Sequence, residues 1–149
     1  MGSTAPRSVR FDARVSARLS SYVARHPGSS ASSVTNRLVD EALRMDEHPG
    51  VYFCDGQTGR RARLVGGPDV QDVIRAVRAT REAEPELDSA SVVRLVAANT
   101  GVPARLIEVA VRYWSAYPDE IDTWIIQANK FEDEAFAAWQ RQQRLLPAR

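Results

Sequence analysis

Apolar and polar residues alternate strictly near the start of the chain. Val9 and Phe11 fall on one side of an extended segment, and Pro6, Ser8 and Arg10 fall on the other. The period then changes. Val15, Leu19, Tyr22 and Val23 recur at helical spacing, with Asp12 where an N-cap belongs. Pro27-Gly28 breaks this helix, and the serine-rich run Ser29-Ser30-Ala31-Ser32-Ser33 opens a second one. That helix is predicted from about Ser32 to Met45, with Val34, Leu38, Val39 and Ala42 on one stripe, before Pro49-Gly50 stops it. A strand this short with two helices cannot bury its own apolar faces. Two copies can: their strands pair as an antiparallel ribbon, and Val9, Phe11, Leu19, Val34 and Leu38 form a shared core.

Beyond Pro49-Gly50 the pattern predicts a second domain, so the chain divides into 1–47 and 48–149. Val51, Phe53, Ala62 and Leu64 alternate with polar neighbours across an Asp55-Gly56/Thr58-Gly59 turn, which predicts a β-hairpin. Pro68-Asp69 opens a helix striped by Val70, Val73, Ile74 and Val77, running to about Glu82. Asp88 or Ser89 caps the next. Ala97, Gly101 and Ile107 then have the spacing of a helix-turn-helix: a small residue at the contact, a left-handed turn, and a branched residue beneath. Helix pairs of this kind also occur in bundles that never meet DNA. The following helix breaks at Tyr117-Pro118. The last one holds Ile121, Trp124, Ile125, Phe131, Phe136 and Trp139 among acids, and Gln140–Arg149 reads as frayed. The expected fold class is mainly α, with a strand-helix-helix intertwined dimer followed by a hairpin and a helical domain.

Net charge is only +1, but it is unevenly placed. Residues 1–34 carry five arginines (Arg7, Arg10, Arg14, Arg18, Arg25) against Asp12, whereas residues 48–149 carry 13 bases and 14 acids. A locally basic start on a near-neutral chain points towards nucleic acid. The single cysteine, Cys54, rules out an internal disulfide and is expected as a buried thiol. No apolar run reaches membrane-span length and no signal-peptide core is visible, so a soluble, cytoplasmic and nucleoid-associated protein is expected.

The Ser8-Val9-Arg10-Phe11 alternation, Gly28 between the helices and the Ser-x-x-Ser opening of the second helix resemble the ribbon-helix-helix (Arc/MetJ/CopG-like) family of DNA-binding proteins. The likeness covers Pro6–Met45. Further on, the hairpin followed by helices, Tyr113-Trp114 and Tyr117-Pro118-Asp119-Glu120-Ile121-Asp122 are similar to the homeodomain-like domain of antitoxins paired with PIN-like ribonuclease toxins. The second resemblance implies a type of partner rather than site residues.

The first resemblance implies that a paired ribbon enters the major groove of double-stranded DNA. Ser8 and Arg10 would then read bases, with Pro6 at the edge in place of the usual polar residue. Arg7 and the helix opening at Ser29, Ser30, Ser32 and Ser33 would hold phosphates, although ordinary N-capping explains the same serines. For a protein partner the candidates are Trp114, Tyr117, Asp119, Glu120, Trp124, Phe131 and Trp139; core packing is the competing account of the aromatics. His26 and His48 have no ligand-spaced companions, and the glycines of Asp55–Arg61 and Val65–Pro68 precede no Gly-Lys-Ser/Thr. Asp119, Glu120 and Asp122 suit a helix start. Neither an enzyme nor a cofactor or metal site is expected. The expected function is a homodimeric operator-binding repressor acting as the antitoxin of a type II toxin-antitoxin pair. The alternative is a transcriptional regulator or partition protein whose C-terminal domain mediates oligomerisation without a toxin.

Overall fold

The computed structural model describes residues 5–56 and 58–146. The chain is mainly helical, with one small antiparallel sheet. Its contacts divide it into two units, Met1–Leu43 and Arg44–Arg149. The division falls inside a helix rather than at the Pro49-Gly50 stop.

The first unit holds helix α1 (Ala13–Ala24) and most of helix α2 (Ala31–Glu47). Asp12 caps α1 as its position implies: its Oδ1 accepts from the Val15 N–H at 2.8 Å. Gly28, at φ 87°, turns the chain between the helices in a conformation that costs other residues strain. Ser30 caps α2. The Ser33 N–H donates to Ser30 Oγ and the Ser30 N–H donates back to Ser33 Oγ, both at 3.1 Å, so the pair closes reciprocally like a capping box. The helix therefore starts at Ala31 and continues to Glu47, longer at its far end than the pattern predicts. The expected strand over Pro6–Phe11 is not formed: residues 5–12 have no regular structure. Two strands are the least a ladder needs, and a single chain offers this segment no second one.

The second unit begins in the last turn of α2. It continues through strands β1 (Val51–Gly56) and β2 (Gly59–Leu64), then helices α3 (Val70–Ala83), α4 (Ser89–Thr100), α5 (Ala104–Ala116) and α6 (Pro118–Leu145). The strands pair antiparallel with Val51 opposite Leu64, Phe53 opposite Ala62 and Gly56 opposite Gly59. Period two sends Val51, Phe53, Ala62 and Leu64 inwards, as the alternation predicts. They meet Val70, Val73 and Ile74 of α3, Val92 and Val96 of α4, and Leu106, Ile107, Ala110 and Tyr113 of α5, all buried. Gly101 ends α4 in the left-handed conformation at φ 74°, and its N–H closes on the Ala97 carbonyl at 2.9 Å. Ile107 lies fully buried beyond that turn, so the Ala97/Gly101/Ile107 spacing is satisfied by packing. Pro118 sits in the first turn of α6, where its missing N–H costs nothing. The segment expected to fray is helical as far as Leu145.

Candidate nucleic-acid and partner interfaces

In the first unit, α1 and α2 leave an open apolar groove of about 670 Å³, lined among others by Phe11, Val15, Leu19, Leu38, Val39 and Ala42. Of the five residues expected in a shared core, Val34 is buried within the single chain. Val9 is 68% exposed and Phe11 36%. Tyr22 closes one side of the helix pair. Its hydroxyl accepts from Arg37 Nη2 at 2.6 Å, and the His26 ring stacks on its face at 4.1 Å.

Pro6, Arg7, Ser8 and Arg10 are all exposed. So are Ser29, Ser30, Ser32 and Ser33 at the start of α2, but Ser30 and Ser33 spend their hydroxyls on each other and on the helix end. Capping thus accounts for these two. Ser29 and Ser32 stand beside the same helix N-terminus, where backbone N–H groups and the helix dipole favour an anion.

The aromatic and acidic candidates of the second unit split into two groups. The larger group is spent on internal contacts. Arg44, in the last turn of α2, donates from Nη1 to the Tyr113 hydroxyl at 3.0 Å and pairs with Glu120, while Tyr113 in turn donates to Glu120 Oε1 at 3.2 Å. The guanidinium also lies 4.0 Å over the Tyr117 ring, and the Tyr117 hydroxyl reaches Glu47 at 3.2 Å. Burial works against the Arg44 charge, but Tyr113 and Glu120 outweigh it and hold the guanidinium above its ordinary range. Burial pushes the Tyr113 phenol up as well, further than Arg44 draws it down. The cluster fastens the last turn of α2 to α5 and α6. His48 packs edge-on against Tyr113 and Tyr117 at the same place.

Trp114 donates from Nε1 to Asp122 at 2.9 Å, and Arg78 pairs with that carboxylate at 2.6 Å. The two donors hold the Asp122 carboxyl below its usual range. Trp124 is half-buried beside Gly59 and Arg61. Trp114, Tyr117, Glu120 and Trp124 thus hold the unit together. The smaller group remains open: Asp119 at the start of α6, and Phe131 and Trp139 on its far half, 66% and 54% exposed. Phe136, 58% exposed and stacked on Trp139 at 5.8 Å, joins them. Its apolar spacing is visible in the sequence, but its exposure depends on where the core ends.

Cys54 is half-buried on the outer face of the hairpin rather than in the core, because the register pairs it with Arg61 and turns both away from Phe53 and Ala62. Among the described residues no helix is long and apolar enough to cross a membrane. Comparison with protein-family models, with curated proteins and with solved structures finds no match for this chain.

Proposed function

We propose that the chain is a sequence-specific DNA-binding repressor of the ribbon-helix-helix type, working as a homodimer and serving as the antitoxin of a type II toxin-antitoxin pair. The observation that carries the DNA reading is the joint state of the first unit. An alternating segment bearing Arg10 lies unpaired next to an open apolar groove between two helices. Pairing with a second copy fills the groove, orders the strand and presents Ser8 and Arg10 on one face. An arginine so placed takes guanine O6 and N7 together, worth about 1–3 kcal/mol against the wrong base. Arg10→Ala should therefore lower specific affinity by about that amount and relax preference at one base pair per half-site. Ser29→Ala with Ser32→Ala should weaken all sequences alike, and it spares the Ser30/Ser33 cap. A footprint and base preference unchanged by Arg10→Ala would contradict the reading.

The antitoxin role is carried by the second unit, whose open surface for a partner is the far half of α6. The toxin should be captured by the full chain and lost when the chain is shortened to end at Glu132. The cut belongs there because Ile121 and Ile125, earlier on α6, are core. A second reading, that the C-terminal domain assembles the regulator and no toxin is involved, rests on the same exposed side chains, Phe131, Phe136 and Trp139.

A further inference from the structure

Helix α1 carries a second pattern beside the apolar stripe that lines its groove. At 3.6 residues per turn, Arg14, Arg18 and Arg25 fall within about 40° of one another around the helix axis. Arg25, the C-cap, keeps the right-handed helical conformation and so continues the row. All three are exposed, and none makes a side-chain hydrogen bond or ion pair among the described residues. The helix itself contains no acid, and Asp12 at its start spends its carboxylate on the Val15 N–H. Beside the row stand only short exposed side chains, Ala17, Ser21 and Ala24. A partner surface can therefore come close to the helix, with the guanidinium groups reaching it and a serine hydroxyl as a further donor.

We infer that this face of α1 binds the phosphate backbone of double-stranded DNA, as a surface separate from the strand residues that read bases. The inference rests on the DNA-binding reading and extends it to residues outside the ribbon and the start of α2. Spacing favours a continuous polyanion over an acidic protein. Along the helix axis the three arginines stand about 6 and 10 Å apart. A protein partner would need carboxylates set to match those unequal steps. One DNA strand carries a phosphate about every 3.4 Å of duplex axis, so about five face a row of this length in any register. The guanidinium fork takes two phosphate oxygens together, which makes arginine suited to such a track. These contacts carry no base information and strengthen the binding of every sequence alike.

The experiment measures binding of the full chain to a random-sequence DNA duplex by fluorescence anisotropy, across a series of salt concentrations. Each neutralised phosphate contributes about 0.9 to the slope of log affinity against log salt. Arg14→Gln, Arg18→Gln and Arg25→Gln together should therefore flatten that slope by about 2.7 for each copy bound. Glutamine forms helix well, so thermal melting and mass in solution should match the parent chain. A control with Arg105→Gln, Arg112→Gln and Arg141→Gln removes the same charge from exposed positions of the second unit and should keep the parental slope. A parental slope in the α1 variant overturns the inference, as does equal flattening by the control. Poly-glutamate competing as well as duplex DNA overturns it too, and assigns the row to acidic polypeptides. Base preference belongs to the ribbon and is read separately, with Arg10→Ala. If the α1 variant flattens the slope while Arg10→Ala changes no preference, the α1 face stands and the ribbon reading falls. The opposite pair of results removes the α1 face and leaves the ribbon reading in place.

Discussion

At the scale of single residues, the second unit is held by buried apolar side chains and a few fully used charges. Leu64, Val70, Ile107, Ala110 and Tyr113 are wholly buried, and of these the sequence pattern marks Leu64, Val70 and Ile107. What periodicity could not mark is which aromatics and acids face inwards. Trp114, Tyr117 and Glu120 look like a binding surface in a linear reading, because their counterparts, Asp122, Glu47 and Arg44, reach them through the fold. Arg44 lies 69 and 76 positions from Tyr113 and Glu120, so no local pattern joins them. The Asp122 contacts make a definite prediction. Its carboxyl is held low by Trp114 and Arg78, so it titrates below its unfolded value of about 3.9. The stabilisation it gives is present above about pH 4 and is lost as pH falls through the lowered value. Asp72 runs the other way, because burial and the nearby Asp69 raise it. A comparison of the parent chain with Asp122→Asn isolates the first effect. Urea unfolding from pH 7 to pH 2 should show the stability gap between the two chains closing below pH 4. A gap independent of pH would show that the Trp114–Asp122–Arg78 contacts are not formed as described.

At the scale of elements, local rules placed the helix starts well. Asp12 and Asp88 cap α1 and α4, each accepting from the N–H three residues on at 2.8 and 2.7 Å, and Gly101 ends α4 as a left-handed residue should. The hairpin was legible because period two and the turn residues agree. The N-terminal strand was legible as a pattern but is absent from the single chain, since a ladder needs a second strand and no local signal supplies one. The end of α6 went the other way: a polar run rich in Gln and Arg reads as frayed, yet those residues are good helix formers and extend the helix to Leu145. The α1–α2 pair carries the clearest prediction at this scale. Leu38 lines the open groove, so Leu38→Glu would place a charge in a shared core. The first unit should then fail to pair, with DNA binding lost and the melting of the second unit unchanged, seen by gel shift and by thermal unfolding. Retained DNA binding by Leu38→Glu would mean that the groove is not the dimer interface.

At the scale of the molecule, two exposed apolar surfaces among the described residues are at places where one chain has finished burying what it can: the groove of the first unit and the far half of α6. In the function proposed above, the first is covered by a second copy and the basic, alternating segment beside it binds DNA. A dimer of such segments binds two half-sites related by a two-fold axis, so the operator should be a short palindrome or pseudo-palindrome. The most direct test is selection of the full-length chain against a pool of random double-stranded DNA, followed by sequencing of the bound fraction. The account predicts enrichment of one inverted repeat, with a guanine in each half-site whose preference disappears when the selection is repeated with Arg10→Ala. A bound pool with no sequence in common, or the same repeat selected by the Arg10→Ala chain, would contradict it.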